Sequence, residues 1–243
     1  MASWVTHLMI ADGILPLISE LSRHEFMVGN IAPDCNVENE DWTSFTPPRE
    51  VTHWMIGKKK TFSDSDRFLH EYVETKDIAD EHELSFLMGY YAHLITDAEF
   101  QRFTRYEARV KASWERIQNN PELSRRSAGM EITYESVKLL IPKEERMKDI
   151  GFIERTYLDR HPESGYFTDI VGLREFPDYL DYMPEGAIVR KVKVMGVLPR
   201  KEIGKYPFIC LSEEEYADFV SETVKVAVEA IEKYLRRQFP RQS

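Results

Sequence analysis

Cysteine is almost absent from this chain, which has only Cys35 and Cys210 among its 243 residues. The two form no CxxC pair and cannot make a disulfide framework, so the sequence gives no argument for an oxidising compartment. The N-terminal stretch lacks the basic start of a signal peptide and carries Asp12 inside its apolar residues. We therefore expect a cytoplasmic protein.

Long apolar runs and an excess of positive charge are also missing. No run approaches the roughly 18 to 20 apolar residues that a membrane span requires, so no transmembrane segment is expected. Acidic residues outnumber basic ones 42 to 32, which gives a formal charge of -10. Because such a field repels polyanions, we expect no nucleic-acid partner. The oligomeric state is left open by the sequence.

What remains is an ordinary globular composition, with 42% hydrophobic and 30% charged residues. The length fits one domain, and the apolar spacing is mostly helical, so we predict a mainly α, multi-helical single domain over residues 1–243. Residues 162–211 are rich in proline, glycine and aromatic residues, and we predict an insertion or lid there. The alternation in Val192-Lys193-Val194 predicts a small β hairpin near 186–200.

The organising stretch is Leu84–Phe103, LSFLMGYYAHLITDAEFQRF. Its apolar residues cover nearly every face of a helical projection, which predicts a central helix that is buried on all sides. His93 and Asp97 lie four residues apart in it and therefore project from the same face. A buried carboxylate must be paired or coordinate a metal. The pair is either a core hydrogen bond or half of a metal site.

Three further residues of metal-ligand type lie in apolar surroundings. His7 points inward with the apolar stripe of a first helix that begins after Ser3. Asp34 follows a buried segment at a turn, and His53 lies within the apolar stretch EVTHWMI. Taken singly, His7 is more often a core histidine and Asp34 is as often a turn residue. Together the five offer the nitrogen and oxygen donors of a zinc site with an open coordination position.

The order of four segments carries a family resemblance. THLMIAD, GNIAPDC, EVTHW and GYYAHLITD follow one another along the first 105 residues or so. In this order they resemble the zinc-dependent phospholipase C family, whose helical fold is shared with single-strand-specific zinc nucleases. The resemblance implies that Asp34, His53, His93 and Asp97 bind one metal, and that His7 and Asp97 hold a second, with Asp97 bridging the two.

Two departures from the family pattern limit the expected metal content. Members with three zinc ions use the main chain of an N-terminal tryptophan, whereas Trp4 is internal here. They also have a later His-x-x-x-Glu pair, but the one histidine after Asp97 is His161, with no glutamate four residues on. Glu99 and Glu107 are the nearest acidic substitutes. We therefore expect one or two Zn²⁺ ions, with other divalent transition metals as candidates.

The resemblance implies a metal-dependent phosphoester hydrolase that acts on a phospholipid head-group or a small phosphodiester through a metal-activated water. Asp34 is the predicted proton acceptor, because a loop carboxylate beside a metal can bind it weakly and still take a proton. Arg102 and Arg105 are candidates for holding phosphate oxygens, although a solvated helix edge is the commoner explanation of such residues. The alternative is a non-catalytic metal-binding structural or binding protein that retains the fold. A nuclease is disfavoured by the acidic balance.

Overall fold

The computed structural model describes residues 2–56 and 63–238. Within these ranges the chain is mainly α, as the sequence predicts, and has a single two-stranded antiparallel sheet. None of the described helices is both long and apolar enough to cross a membrane. The helices are α1 Trp4–Ile14, α2 Arg23–Ile31, α3 Arg49–Thr52, α4 Ser65–Leu69, α5 Glu81–Arg105, α6 Glu107–Gln118, α7 Pro121–Arg126, α8 Tyr134–Leu140, α9 Lys143–Arg160, α10 Ala187–Met195 and α11 Glu213–Gln238, and the strands are β1 Val37–Glu38 and β2 Phe45–Thr46.

The chain divides into two compact units. The first comprises Met1–Ala98, Pro162–Val197 and Ser221–Ser243, and the second comprises Glu99–His161 and Leu198–Val220. The second unit has its own apolar core, formed by Trp114, Ile117, Leu123, Val137, Leu140, Ile141, Tyr206, Ile209 and Cys210. The single domain over residues 1–243 and the lid over residues 162–211 both stay predictions.

In the first unit, α5 is the buried central helix that the sequence predicts, since every residue from 85 to 98 is buried. Helix α2 crosses it with the two backbones in direct contact. A Cβ atom added at Gly29 would lie 2.0 Å from the carbonyl oxygen of Phe86, and one at Gly89 would lie 2.1 Å from that of Phe26. Only glycine allows so close an approach. The contact places Asn30 beside α5, where its side-chain amide donates to the carbonyl of Gly89 at 3.2 Å.

The predicted hairpin near 186–200 is wrong, because Ala187–Met195 forms the helix α10. Alternation over only three residues is compatible with a strand and with a helix. Ile188 and Val192, four residues apart, are both buried on one face, as the helical period requires. The two-stranded sheet lies elsewhere, with Val37 paired to Thr46.

The sheet is tied to α10 by an ion pair between Glu38 and Lys191. The side chains are only 5% and 3% exposed, and Lys191 Nζ lies 2.7 Å from Glu38 Oε2. Arg190, which is half-exposed, adds a second contact to Glu38 at 2.9 Å. The hydrogen bond from Lys191 lowers the pKa of Glu38 from 4.5 to about 2. This buried pair explains why a charged residue is tolerated on the inner face of α10.

Gly89→Ala should destabilise the protein by about 3 kcal/mol, because its Cβ atom can be accommodated only if α2 and α5 move apart. Helix propensity alone would favour alanine by about 1 kcal/mol. A loss of stability in the variant would therefore come from the contact between the two backbones. Gly172→Ala is the control, since a Cβ there meets no atom within 4 Å. Urea unfolding followed by circular dichroism measures both variants. Equal stabilities would contradict the close approach of the two helices.

Glu38→Gln should cost roughly 3 kcal/mol of stability at neutral pH, because it leaves the Lys191 ammonium group buried without its carboxylate. The folded-state pKa of Glu38 is depressed, so its contribution is complete above about 4.5 and is lost as the pH falls through about 2. The stability difference between wild type and variant should therefore shrink over that range in urea unfolding. Glu71→Gln, which breaks an exposed pair with Arg67, should cost less than about 1 kcal/mol.

Candidate metal centre

The central helix α5 supplies His93 and Asp97, both of which are buried. Their spacing of four residues puts them on one helical face, and α1, the turn after α2, and the end of α3 bring His7, Asp34 and His53 to the same place. Two groups of three result: His7 with His93 and Asp97, and Asp34 with His53 and His93. In each group the candidate ligand atoms lie within 4.8 Å of one another. The structure thus brings together all five residues that the sequence singles out.

His93 is held in one tautomer by the main chain of α2. Its Nδ1 lies 2.8 Å from the carbonyl oxygen of Asn30. Since a carbonyl can only accept, Nδ1 carries the proton and Nε2 keeps a lone pair. Among the described residues, this Nε2 has no hydrogen-bond partner although it is buried. A histidine that binds metal through one ring nitrogen usually donates the N–H of its other ring nitrogen to a carbonyl or carboxylate. His93 has this arrangement.

His7 lies on α1 with its ring stacked on that of His93, at a centroid distance of 3.7 Å and an interplanar angle of 2°. The helix begins at Trp4 because the Ser3 side chain accepts from the backbone N–H of Thr6. His7 Nε2 lies 3.6 Å from Asp97 Oδ1, which is too far for a hydrogen bond. Neither of its ring nitrogens has a hydrogen-bond partner within the described chain. Two open nitrogens in a dry interior are costly unless a ligand completes them.

Asp34 and His53 approach from the other side of Asp97. Asp34 ends a short 3-10 turn, Ala32–Asp34, that follows α2. His53 is the first residue after α3. His53 Nε2 lies 3.3 Å from Asp34 Oδ1 and 3.7 Å from Asp97 Oδ2. The two oxygens of Asp97 therefore face different histidines, Oδ1 toward His7 and Oδ2 toward His53.

The donor set fits zinc. Ligands at 2.0 to 2.1 Å from a tetrahedral zinc ion are about 3.4 Å apart, and the three separations above are 3.3, 3.6 and 3.7 Å. The donors are imidazole and carboxylate groups. The neighbouring Cys35 thiol is directed to the carbonyl of Ile31 instead. A carboxylate that divides its oxygens between two histidines can bridge two ions.

The electrostatics keep His93, Asp34 and Asp97 in the forms that bind metal. Burial, reinforced by His7, holds the pKa of His93 well below its ordinary value, so its imidazole is neutral. Burial raises the pKa of the Asp34 carboxyl, but the neighbouring His53 and the charge of Arg49 outweigh this and hold the pKa well below the usual range. Burial also raises the pKa of the Asp97 carboxyl, but the neighbouring histidines, chiefly His7, outweigh this and lower it. Both carboxyl groups are therefore ionised at neutral pH.

One side chain at the centre is not anticipated by the sequence analysis. Arg49 Nη2 lies 2.7 Å from Asp34 Oδ1 and 3.0 Å from His53 Nε2. Arg49 opens the short helix α3 in a polar stretch, REVT, that looks like a solvated edge. Its only sequence signal is the spacing of four residues from His53, which places both side chains on one side of a helical turn.

Main-chain atoms also take part. The backbone N–H of Ala2 donates to Asp97 Oδ1 at 2.9 Å, and Ala2 is buried. The residue that reaches this carboxylate from the N-terminal segment is thus Ala2 and not Trp4. Backbone contacts of this kind have no residue-type signature, so a sequence pattern cannot reveal them.

The substitutes considered for a third metal lie in other surroundings. Glu99 is paired with Arg102, Glu107 with Lys111, and His161 stacks on Tyr157 at 4.3 Å. Over residues 2–56 and 63–238, the two groups above are the ones in which three or more metal-type ligands converge. A content of one or two ions stays the prediction.

His93→Ala should abolish bound metal, because His93 is the one residue common to both groups. We expect one or two equivalents of zinc per chain in wild-type protein purified without chelators or nickel affinity, and less than about a tenth of that in the variant. Elemental analysis by mass spectrometry gives the content. His82→Ala is the control, since His82 is exposed and faces Glu25. Equal metal content in all three proteins would rule out this centre.

Comparison with known proteins agrees with the geometry. Residues 6–99 match the model of a family described as Zinc dependent phospholipase C. No curated protein and no solved structure matches the chain. The matched range covers less than half of the 243 residues, but it contains all five candidate ligands. Over residues 6–99, the chain is therefore confirmed to resemble the zinc-dependent phospholipase C family.

Proposed function

We propose that this protein is a zinc-dependent phosphoester hydrolase that acts on a phospholipid head-group or a small phosphodiester. The observation that carries the proposal is the position of Asp97. Its two buried carboxylate oxygens face His7 on one side and His53 on the other. This arrangement suits a bridging ligand between two ions. The family match over residues 6–99 supports the choice of a phospholipid-type substrate.

The proposed ligands are His7, Asp34, His53, His93 and Asp97. When bound, one or two Zn²⁺ ions would lower the pKa of a coordinated water and neutralise a phosphoryl oxygen. Each histidine would bind metal through a ring nitrogen that offers a lone pair. For His93 this nitrogen is Nε2, because Nδ1 is already bonded to the carbonyl of Asn30. Asp97 is nearly inaccessible to solvent and serves to hold its neighbours in place.

Asp34 is the proposed proton acceptor. Its side chain is 15% exposed, whereas that of Asp97 is 5% exposed, so water can reach Asp34 more easily. Its lowered pKa keeps the carboxylate ionised, as a base must be at neutral pH. It lies at the end of a turn instead of inside a helix, which lets one oxygen stay near His53 while the carboxylate takes a proton.

Arg102 and Arg105 remain candidates for binding phosphate oxygens. Arg102 bonds Glu99, and Arg105 bonds Gln101 and lies over the ring of Tyr134 at 5.2 Å. These local contacts already occupy both guanidinium groups. The cytoplasmic location likewise stays part of the proposal; both cysteines, Cys35 and Cys210, are free thiols in the structure.

The second candidate is a metal-binding protein without turnover. One observation favours it: the proposed base, Asp34, is already paired with Arg49 at 2.7 Å. A carboxylate held by a guanidinium is a poor proton acceptor until that contact opens. The two candidates agree on metal binding and differ only in catalysis, so one activity measurement separates them.

Wild-type protein should hydrolyse p-nitrophenyl phosphomonoesters or phosphodiesters, or a short-chain phosphatidylcholine, with added Zn²⁺, Mn²⁺ or Ni²⁺. Asp34→Asn should lower the rate at least about 100-fold, because the amide cannot accept the proton. The variant should still retain at least one metal equivalent through His7, His93 and Asp97. Release of p-nitrophenol and of phosphocholine measures the rates.

Asp218→Asn is the matched control, since Asp218 is an exposed carboxylate on α11, and its rate should equal that of wild type. Metal-loaded wild-type protein that hydrolyses none of these esters would favour the non-catalytic candidate. Full activity in Asp34→Asn would remove Asp34 from the proposed mechanism.

A further inference from the structure

The Arg49 side chain lies inside one half of the centre. A single nitrogen, Nη2, contacts both Asp34 Oδ1 at 2.7 Å and His53 Nε2 at 3.0 Å. Asp34 and His53 are themselves 3.3 Å apart. The guanidinium therefore spans the two ligand atoms that a metal ion at this position would also need.

The hydrogen bonds of His53 fix which of its nitrogens is available. A guanidinium group has only donors, so Nε2 of His53 must accept from Arg49. The other nitrogen, Nδ1, lies 2.9 Å from the Thr52 hydroxyl, which in turn donates to the carbonyl of Arg49 at 3.4 Å. Nδ1 therefore carries the proton, and Nε2 has one lone pair. That lone pair can be given to Arg49 or to a metal ion, but not to both.

The other half of the centre, formed by His7, His93 and Asp97, differs in its hydrogen bonding within the described part of the chain. Both nitrogens of His7 and Nε2 of His93 have no hydrogen-bond partner among the described residues. The nearest donor is the backbone N–H of Ala2, which takes one lone pair of Asp97 Oδ1 and leaves others. His93 belongs to both groups of three, and its one open nitrogen, Nε2, faces both positions.

We propose that Arg49 competes with metal for the position between Asp34 and His53, so that the two metal positions differ in affinity. The first ion binds with His7, His93 and Asp97. A second ion binds beside Asp34 only when Arg49 withdraws its nitrogen from His53. The Arg49 side chain is 34% exposed, so it can leave toward solvent while its backbone stays in α3. The proposal rests on the metal centre of the proposed function but not on turnover.

The test is a titration of the metal-free, full-length chain with Co²⁺, followed by visible absorption and with a competing chelator. In wild-type protein the second equivalent should bind at least about tenfold more weakly than the first. Arg49→Ala should tighten the second equivalent by at least about tenfold and leave the first unchanged. Arg49→Lys, which keeps a charge but loses the planar fork, should fall between them.

Arg67→Ala is the matched control, since Arg67 also pairs with one carboxylate, Glu71, outside the centre. Its titration should equal that of wild type. Two equivalents with the same affinities in wild type and Arg49→Ala would overturn the competition while leaving the metal centre intact. No bound cobalt in any of these proteins would overturn both the competition and the proposed function.

A second measurement on the unmutated chain covers the case in which the Arg49 variants fail to fold. The Arg49 guanidinium signal, identified in ¹⁵N spectra through its contacts with Asp34 and His53, should be unaffected by the first equivalent of Zn²⁺. It should shift or exchange with water at the second. A signal that stays unchanged through two bound equivalents would contradict the proposal.

Discussion

The hydrogen bond from His93 Nδ1 to the carbonyl of Asn30 is the interaction on which the centre depends. It fixes the tautomer, and it fixes the direction in which the remaining lone pair points. It exists only because α2 and α5 approach closely enough for a main-chain oxygen of one to meet a side chain of the other. The glycines at the crossing thus act on the chemistry, although neither touches a ligand.

The buried charges explain why the centre is built from five residues and not fewer. Two ionised carboxylates in a dry interior are costly, and one guanidinium offsets only part of that cost. The His93 imidazole cannot supply the missing charge, because burial lowers its pKa. A divalent cation would neutralise the remaining negative charge. It would also give the ring nitrogens of His7 and His93 the partner that they lack among the described residues.

Most of the centre could be predicted from sequence because its side chains are out of place by ordinary rules. A histidine and an aspartate four residues apart in an apolar helix demand an explanation, and three further polar residues in apolar surroundings supply it. The mainly α fold could be predicted because the apolar residues follow the spacing of helices. Arg49 could not be predicted because an arginine in a polar stretch is ordinary. Its position at the centre depends on the orientation of the short helix that follows Pro48.

Other features lay beyond any reading of side-chain types. The alternation of Val192-Lys193-Val194 covered too few residues to separate a strand from a helix, and the burial of Lys191 against Glu38 is a long-range contact. The N–H of Ala2 and the carbonyl of Asn30 are backbone groups that every residue possesses. Their roles follow from packing, which a local pattern does not encode.

The crossing at Gly29 and Gly89 also has a consequence for genetics. At each position the obstacle to a larger residue is the partner helix's own carbonyl oxygen, at about 2 Å from an added Cβ. Side chains can shrink through mutation, but a carbonyl cannot. A loss-of-function substitution at either glycine should therefore have no single-residue suppressor on the facing helix, and true reversion should dominate among the recovered strains.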